Sequence, residues 1–220
     1  MPDSQLLGFE HVWEPGTEAD APVLLLLHGT GGDQRDLLPL GRALADDASL
    51  LSPKGKVREG PMPRWFRRLA EGVLDEEDLV TRSRELVAFV DAASERYGFA
   101  RDKVVAVGFS NGANMAAATL LLDATAFRGA VLLSPMVPLR PPTRPDLSGA
   151  AVLIGAGRSD PITPAEQATA LAELLADCGA SVEVTWQPDG HAITAAEVET
   201  ARGWLARMRT TIGSRPVRGG

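Results

Sequence analysis

Short, mostly uninterrupted apolar runs recur along the chain: Val23–Leu27 after Pro22, Ala48–Leu51, Val104–Val107, Ala130–Leu133, Ala151–Ile154 and Val182–Trp186. Strands that alternate polar and apolar residues face water on one side, whereas runs like these belong in a sheet covered on both faces. Helix-length segments lie between most of them. From Glu76 to Tyr97, residues Leu79, Leu86, Val87, Val90 and Tyr97 fall on one face, and Gly98 follows as a left-handed cap. "TPAE" puts Thr163 at an N-cap, Pro164 at the first helical position and Glu166 at the capping-box position, and "TAAE" repeats the pattern from Thr194 to Glu197. The alternation predicts an α/β fold: a mostly parallel central sheet with helices on both faces, and Phe9–Trp13 as an antiparallel entry strand.

Three stretches interrupt this rhythm. The Pro- and Arg-rich span 139–146 reads as a connecting loop, and "GSRPVRGG" at 213–220 as a flexible tail after a single domain over 1–212. The stretch from Ser52 to Asp75 is too long for a minimal connection and carries Met62, Trp65 and Phe66 among arginines and prolines. Two readings of Trp65 and Phe66 stand side by side: they pin this loop to the core, or they line a substrate cleft.

At 220 residues and 45% hydrophobic content, the chain is long enough for one substantial core and has no room for a large cap domain. A net charge of -7 offers no basic face for a nucleic-acid backbone. Cys178 is the single cysteine, so an internal disulfide or a cysteine-based zinc cluster is ruled out. Three scattered histidines add no ligand cluster, and neither metal nor cofactor is expected. The strand-like apolar runs are far too short to span a bilayer, and "MPDSQLLGFE" lacks the pattern of a secretory signal, so the expected location is cytoplasmic. A homodimer is compatible with this sequence, which sets no oligomeric state.

The chemistry centres on "VGFSNGA", residues 107–113, where a strand gives way to a helix. Gly108-Phe109-Ser110-Asn111-Gly112 matches G-x-S-x-G in the strand-turn-helix setting of a nucleophile elbow. Glycines at 108 and 112 would permit close packing at the sharp turn while the seryl oxygen projects above the sheet edge. The pentapeptide alone is a weak signal, because glycine and serine are also the ordinary residues of turns.

A seryl hydroxyl needs a base, and the base needs a third group to fix its tautomer and support its charge. His191, in "QPDGHAIT", lies on a loop after the last predicted strand, at the same sheet edge as Ser110. His28 ends "VLLLLHG" and reads as a loop brace, and His11 as an ordinary surface or edge residue. Asp160, in "GRSDPITP", follows strand 150–155 on a loop at that same edge. Asp146 precedes its nearest strand, Asp177 sits in a helix, and Asp189 reads as a turn former two residues from His191. The order Ser110, Asp160, His191 is more specific than the pentapeptide. Backbone donors for an oxyanion would come from Asn111, directly after the serine, and from "HGTGGD", with Thr30 first and Gly31 second. A phosphate cradle would want a Lys-Ser/Thr pair or G-x-G-x-x-G opening a helix, and "HGTGGD" has neither.

The segments "LLLLHGTGGDQRDLLPL", "RRLAEGVLDEEDL", "VVAVGFSNGANMA", "LLSPMVP", "GRSDPITP" and "VTWQPDGHAIT" together resemble the phospholipase/carboxylesterase branch of the α/β hydrolases. The resemblance covers most of residues 5–208 and is nearest to short bacterial carboxylesterases related to acyl-protein thioesterases. It implies the α/β-hydrolase fold and serine ester hydrolysis, with Ser110, Asp160 and His191 as the triad and Thr30 and Asn111 as the oxyanion hole. Acyl-protein thioesterases commonly carry Gln after the nucleophile and HGLGD upstream, so Asn111 and Thr30 argue against carrying over their lipid-protein specificity. The expected substrate is a small ester with a short acyl group, held by walls from loops: Met62, Trp65, Phe66, Met136, Val137 and Ile162. Thioester, lysophospholipid, lactone and amide hydrolysis remain alternatives, as does a catalytically silent binding protein of the same fold.

Overall fold

The computed structural model describes residues 4–18, 20–70, 72–188 and 190–213. Its centre is an eight-stranded sheet. In chain order the elements are β1 (Ser4–Leu6), β2 (Phe9–Glu14), β3 (Val23–Leu27), α1 (Leu38–Leu44), β4 (Ser49–Pro53), and two small hairpins, β5 (Val57–Glu59) with β6 (Met62–Arg64) and β7 (Arg68–Ala70) with β8 (Val73–Leu74). There follow α2 (Glu76–Tyr97), β9 (Val104–Phe109), α3 (Asn111–Leu122), β10 (Gly129–Leu133), β11 (Ala151–Gly157), α4 (Ala165–Asp177), β12 (Ser181–Gln187) and α5 (Ala195–Gly213).

The sheet order is β1-β2-β4-β3-β9-β10-β11-β12. The β1–β2 and β2–β4 pairs are antiparallel, and every other pair is parallel. Alternate residues explain the continuous apolar runs: Leu25 and Leu27 of β3 enter the core shared with Leu79 and Leu86 of α2, while Leu24 and Leu26 enter the opposite core with Leu38 of α1 and Trp204 of α5. Each fully buried leucine side chain stabilises the fold by about 1.5–3 kcal/mol. After β3 the chain moves outward to β4, then crosses back to place β9 on the other side of β3. The strand order therefore reverses between β3 and β9, and such a switch point leaves a crevice at the carboxyl ends of the two strands.

The predicted entry strand is β2, and the predicted helix 76–97 has the bounds of α2, capped by Gly98 at φ 73°. Three expectations need correction. The stretch 52–75 is not an irregular loop: Ser52 and Pro53 end β4, and four short strands, β5 to β8, follow as two antiparallel pairs, with Gly60 and Gly72 at positive φ. Strands of two or three residues are too short to show an alternation in sequence. His11 is not a surface residue but fully buried, with Nε2 2.7 Å from the Tyr97 hydroxyl. Thr163 does not cap α4, which begins at Ala165 with Pro164 as its cap, because its hydroxyl is bonded to Asp160 instead. The turn assigned to Asp189, and the tail beyond Gly213, lie outside the described residues.

Candidate active site

Ser110 follows β9 and caps α3 with φ 52° and ψ -113°, a backbone conformation that non-glycine residues rarely adopt. Its surroundings hold it there. Its N–H donates to the Leu133 carbonyl at 2.8 Å, and its carbonyl accepts from the Asn114 N–H at 3.0 Å. Both flanking glycines are steric requirements: a Cβ on Gly108 would lie 2.6 Å from the Gly112 carbonyl oxygen, and one on Gly112 would overlap the Leu27 carbonyl oxygen. α3 thus runs flush against the end of β3, leaving the seryl side chain beside the switch-point crevice.

His191 comes from the loop between β12 and α5. Its Nε2 is 2.9 Å from Ser110 Oγ and its Nδ1 is 2.7 Å from Asp160 Oδ2. An ionised Asp160 can only accept, so Nδ1 carries the ring proton and Nε2 is left as the acceptor of the seryl hydrogen. The loop is held by a reciprocal capping box in which Thr194 N–H donates to Glu197 Oε2 at 3.1 Å and Glu197 N–H donates to Thr194 Oγ1 at 3.3 Å. Gln187 adds a second tie, donating from Nε2 to the Ala192 carbonyl at 3.0 Å and accepting the Thr194 hydroxyl at 2.5 Å. The Phe109 ring packs on the imidazole with centroids 5.1 Å apart.

Asp160 lies on the loop after β11, with its side chain buried. Burial raises its pKa, but four hydrogen bonds outweigh that and hold it below the usual carboxylate range. Oδ1 accepts the amides of Ile162 at 2.8 Å and Thr163 at 3.0 Å, while Oδ2 accepts the Thr163 hydroxyl at 2.6 Å and His191 Nδ1.

The two expected oxyanion donors come from the segments that directly follow β3 and β9. The Asn111 N–H belongs to the first turn of α3, where backbone donors have no partner within the helix. After β3, the peptide between Gly29 and Thr30 is held by its carbonyl, which accepts His28 Nδ1–H at 2.7 Å and the Gly32 N–H at 3.1 Å. In a trans peptide the N–H points opposite to the C=O, so these two bonds also orient the Thr30 N–H. The His28 tautomer is set by Gly55, whose N–H donates to Nε2 at 3.0 Å, and burial lowers the His28 pKa, keeping the ring neutral. His28 is therefore the loop brace expected of it. Gly31 is not a second donor, because its N–H is bonded to the Pro63 carbonyl at 2.9 Å.

The expected acyl-site walls divide. Met62 and Ile162 are exposed near this crevice, with Met62 Cγ 3.8 Å from where a Gly31 Cβ would stand. Met136 and Val137 are half-buried, their amides tied to the side chains of Asn114 and Gln167. Trp65 and Phe66 are 2% and 0% exposed and belong to the core, so of their two readings the buried pin is the one the packing matches. Sequence marks Thr163 only as a helix cap and gives no role to Phe109 or Arg64, since no local pattern shows which side chain packing will bring beside His191 or Thr30.

A family model described as phospholipase/carboxylesterase matches residues 9–208. The chain belongs to this family. The Bacillus subtilis protein described as the hydrolase MhqD is 51% identical over 195 residues, covering 89% of this chain and 96% of that protein. The Bacillus cereus carboxylesterase superposes with a TM-score of 0.89 at 47% identity, covering 91% of this chain and 94% of that one. A carboxylesterase from Mesorhizobium loti gives 0.88 at 33% identity, covering 93% and 98%. As a member of the phospholipase/carboxylesterase family, the chain has the α/β-hydrolase fold, and the described residues hold no large additional domain. Among the described residues, no helix is long and apolar enough to cross a membrane, and no group of three or more His, Cys, Asp or Glu side chains is arranged to hold a metal ion.

Proposed function

We propose that this protein is a cofactor-independent serine carboxylesterase acting on small esters with short acyl groups. The observation that carries this reading is His191, whose two ring nitrogens bridge Ser110 Oγ and Asp160 Oδ2 at 2.9 and 2.7 Å. Ser110 Oγ attacks the ester carbonyl while His191 Nε2 takes the hydroxyl proton. Asp160 keeps the imidazole oriented and stabilises the imidazolium. The tetrahedral oxyanion is received by the N–H groups of Thr30 and Asn111, which lie on opposite sides of the crevice and require no reorganisation. His191 then protonates the departing alkoxide, and the acyl-enzyme is released by a water molecule that His191 deprotonates.

The short-acyl preference rests on the exposed positions of Met62 and Ile162 and on the absence of an inserted cap among the elements of the described residues. A methylene contributes about 0.8 kcal/mol only while it is buried, and walls of this kind bury few. An activated phosphonate ester tests the chemistry: it should label Ser110 stoichiometrically, and labelling elsewhere or none would refute the reading. A panel of straight-chain esters tests the specificity, with kcat/KM expected to peak at short acyl groups and a continued rise into fatty acyl esters counting against it.

A further inference from the structure

The two candidate oxyanion donors come from segments far apart in sequence, the loop after β3 and the first turn of α3. One short stretch of chain touches both. The Pro63 carbonyl accepts the Gly31 N–H at 2.9 Å, and Arg64 Nη1 donates to Thr30 Oγ1 at 3.0 Å. One residue later, the Trp65 N–H donates to Asn111 Oδ1 at 2.8 Å, while the indole Nε1–H donates to the His28 carbonyl at 2.8 Å.

We propose that Arg64 and Trp65 are positioning residues that hold the two halves of the oxyanion hole at a fixed separation. The proposal rests on the serine-esterase reading of the site. Residues 63–65 act as a strap, buried at Arg64 and Trp65, that ties the Thr30 loop to the Asn111 turn.

The strap is itself rigid. Arg64 is 5% exposed, its Nε donates to the Phe66 carbonyl at 3.3 Å, and its Nη1 lies 3.2 Å from Glu59 Oε2 on the paired strand of the same hairpin. Glu59 is held in turn by Arg68. Gly55 packs flush behind, where a Cβ would overlap the Arg64 carbonyl. With the guanidinium and indole buried and bonded on several sides, neither has freedom to follow a moving loop. The consequence is a fixed distance between donors that must both reach one developing charge, and a hydrogen bond misplaced by a fraction of an ångström loses much of its strength. Neither side chain needs to touch substrate for this.

Thr30→Val is the cleanest probe, because it keeps the shape, the Thr30 N–H and the Arg64 charge and removes only their link. Arg64→Gln and Trp65→Phe remove the same tie and the indole tie from the strap side. Each variant is measured against wild type for phosphonate labelling of Ser110, for kcat and KM on an activated short-chain ester, for affinity toward a trifluoromethyl ketone, and for thermal unfolding. The expected result is a fall in kcat of between about tenfold and a hundredfold with KM little changed, short of the full loss of one oxyanion donor. Affinity for the ketone, which forms a tetrahedral oxyanion, should fall in parallel. Thr30→Val combined with Arg64→Gln should cost no more than the larger single effect. Folded Thr30→Val and Trp65→Phe proteins with wild-type kcat and ketone affinity would overturn the strap while leaving the esterase reading intact. A wild-type protein that does not label at Ser110 would overturn both.

Discussion

Thr163 donates its hydroxyl hydrogen to Asp160 Oδ2 at 2.6 Å, the same carboxylate oxygen that His191 Nδ1 reaches at 2.7 Å. One oxygen thus serves the histidine and a neutral donor whose hydrogen bond favours the ionised acid. Thr163→Val keeps the branched shape and deletes this bond, worth about 1.5–3 kcal/mol for a charged acceptor. The expected outcome is a fall in kcat/KM of roughly tenfold, with Asp160 held less far below the usual carboxylate range. The sign of the linked stability change follows from that lowered pKa: the native bond contributes fully above the unfolded carboxylate pKa of about 3.9 and is lost as pH falls through the lower folded value. The melting temperatures of wild type and Thr163→Val should therefore differ most near neutrality and converge in acid. A constant difference across that range would remove Asp160 from the explanation.

Ser110→Ala should remove turnover while leaving the elbow folded, because alanine is smaller than serine and the backbone bonds of residue 110 are untouched. The loss should be on the order of a thousandfold or more. Retained turnover in a protein with the wild-type melting temperature would assign the nucleophile elsewhere.

Glu197 closes the capping box that carries His191 toward Ser110, yet its Oε1 is buried with no hydrogen-bond partner among the described residues. Burial raises its pKa, more than the bonds from Thr194 and Gln187 lower it. A raised carboxyl pKa means that the folded state holds its proton more tightly, so stability declines as pH rises from the unfolded value through the folded one. Glu197→Gln avoids that charge. It should raise the melting temperature relative to wild type at and above neutral pH and show no such gain in acid, as followed by thermal unfolding from pH 4 to 8. A gain that is largest in acid would contradict the assignment.

Met62 and Trp65 stand three residues apart but should behave differently on truncation. Met62 is exposed beside the Thr30–Gly31 loop, so Met62→Ala should reduce the preference for a butyryl over an acetyl ester by about fourfold for each methylene's worth of contact removed, with little effect on acetyl ester turnover. Trp65→Ala should instead destabilise the protein by about 3–5 kcal/mol, the cost of emptying a buried aromatic site. A chain-length profile altered by Trp65→Ala but not by Met62→Ala would reverse the two roles.

The sequence by itself determined the sheet, the elbow and the chain order of the candidate chemistry. Leu24 to Leu27 had to be buried on both faces because none of them is polar, and the glycines around Ser110 left a strand-to-helix turn with one projecting hydroxyl. These are local consequences of side-chain type and spacing, so they can be read along the chain. Tertiary structure alone decided how residues distant in sequence meet: that Thr163 serves Asp160 rather than a helix cap, that His11 is buried against Tyr97, and that Trp65 is a buried tie between His28 and Asn111. A hydroxyl or an indole N–H satisfies its hydrogen bond with whichever partner packing brings within about 3 Å, and that partner is chosen by how strands and helices assemble, not by the residues on either side.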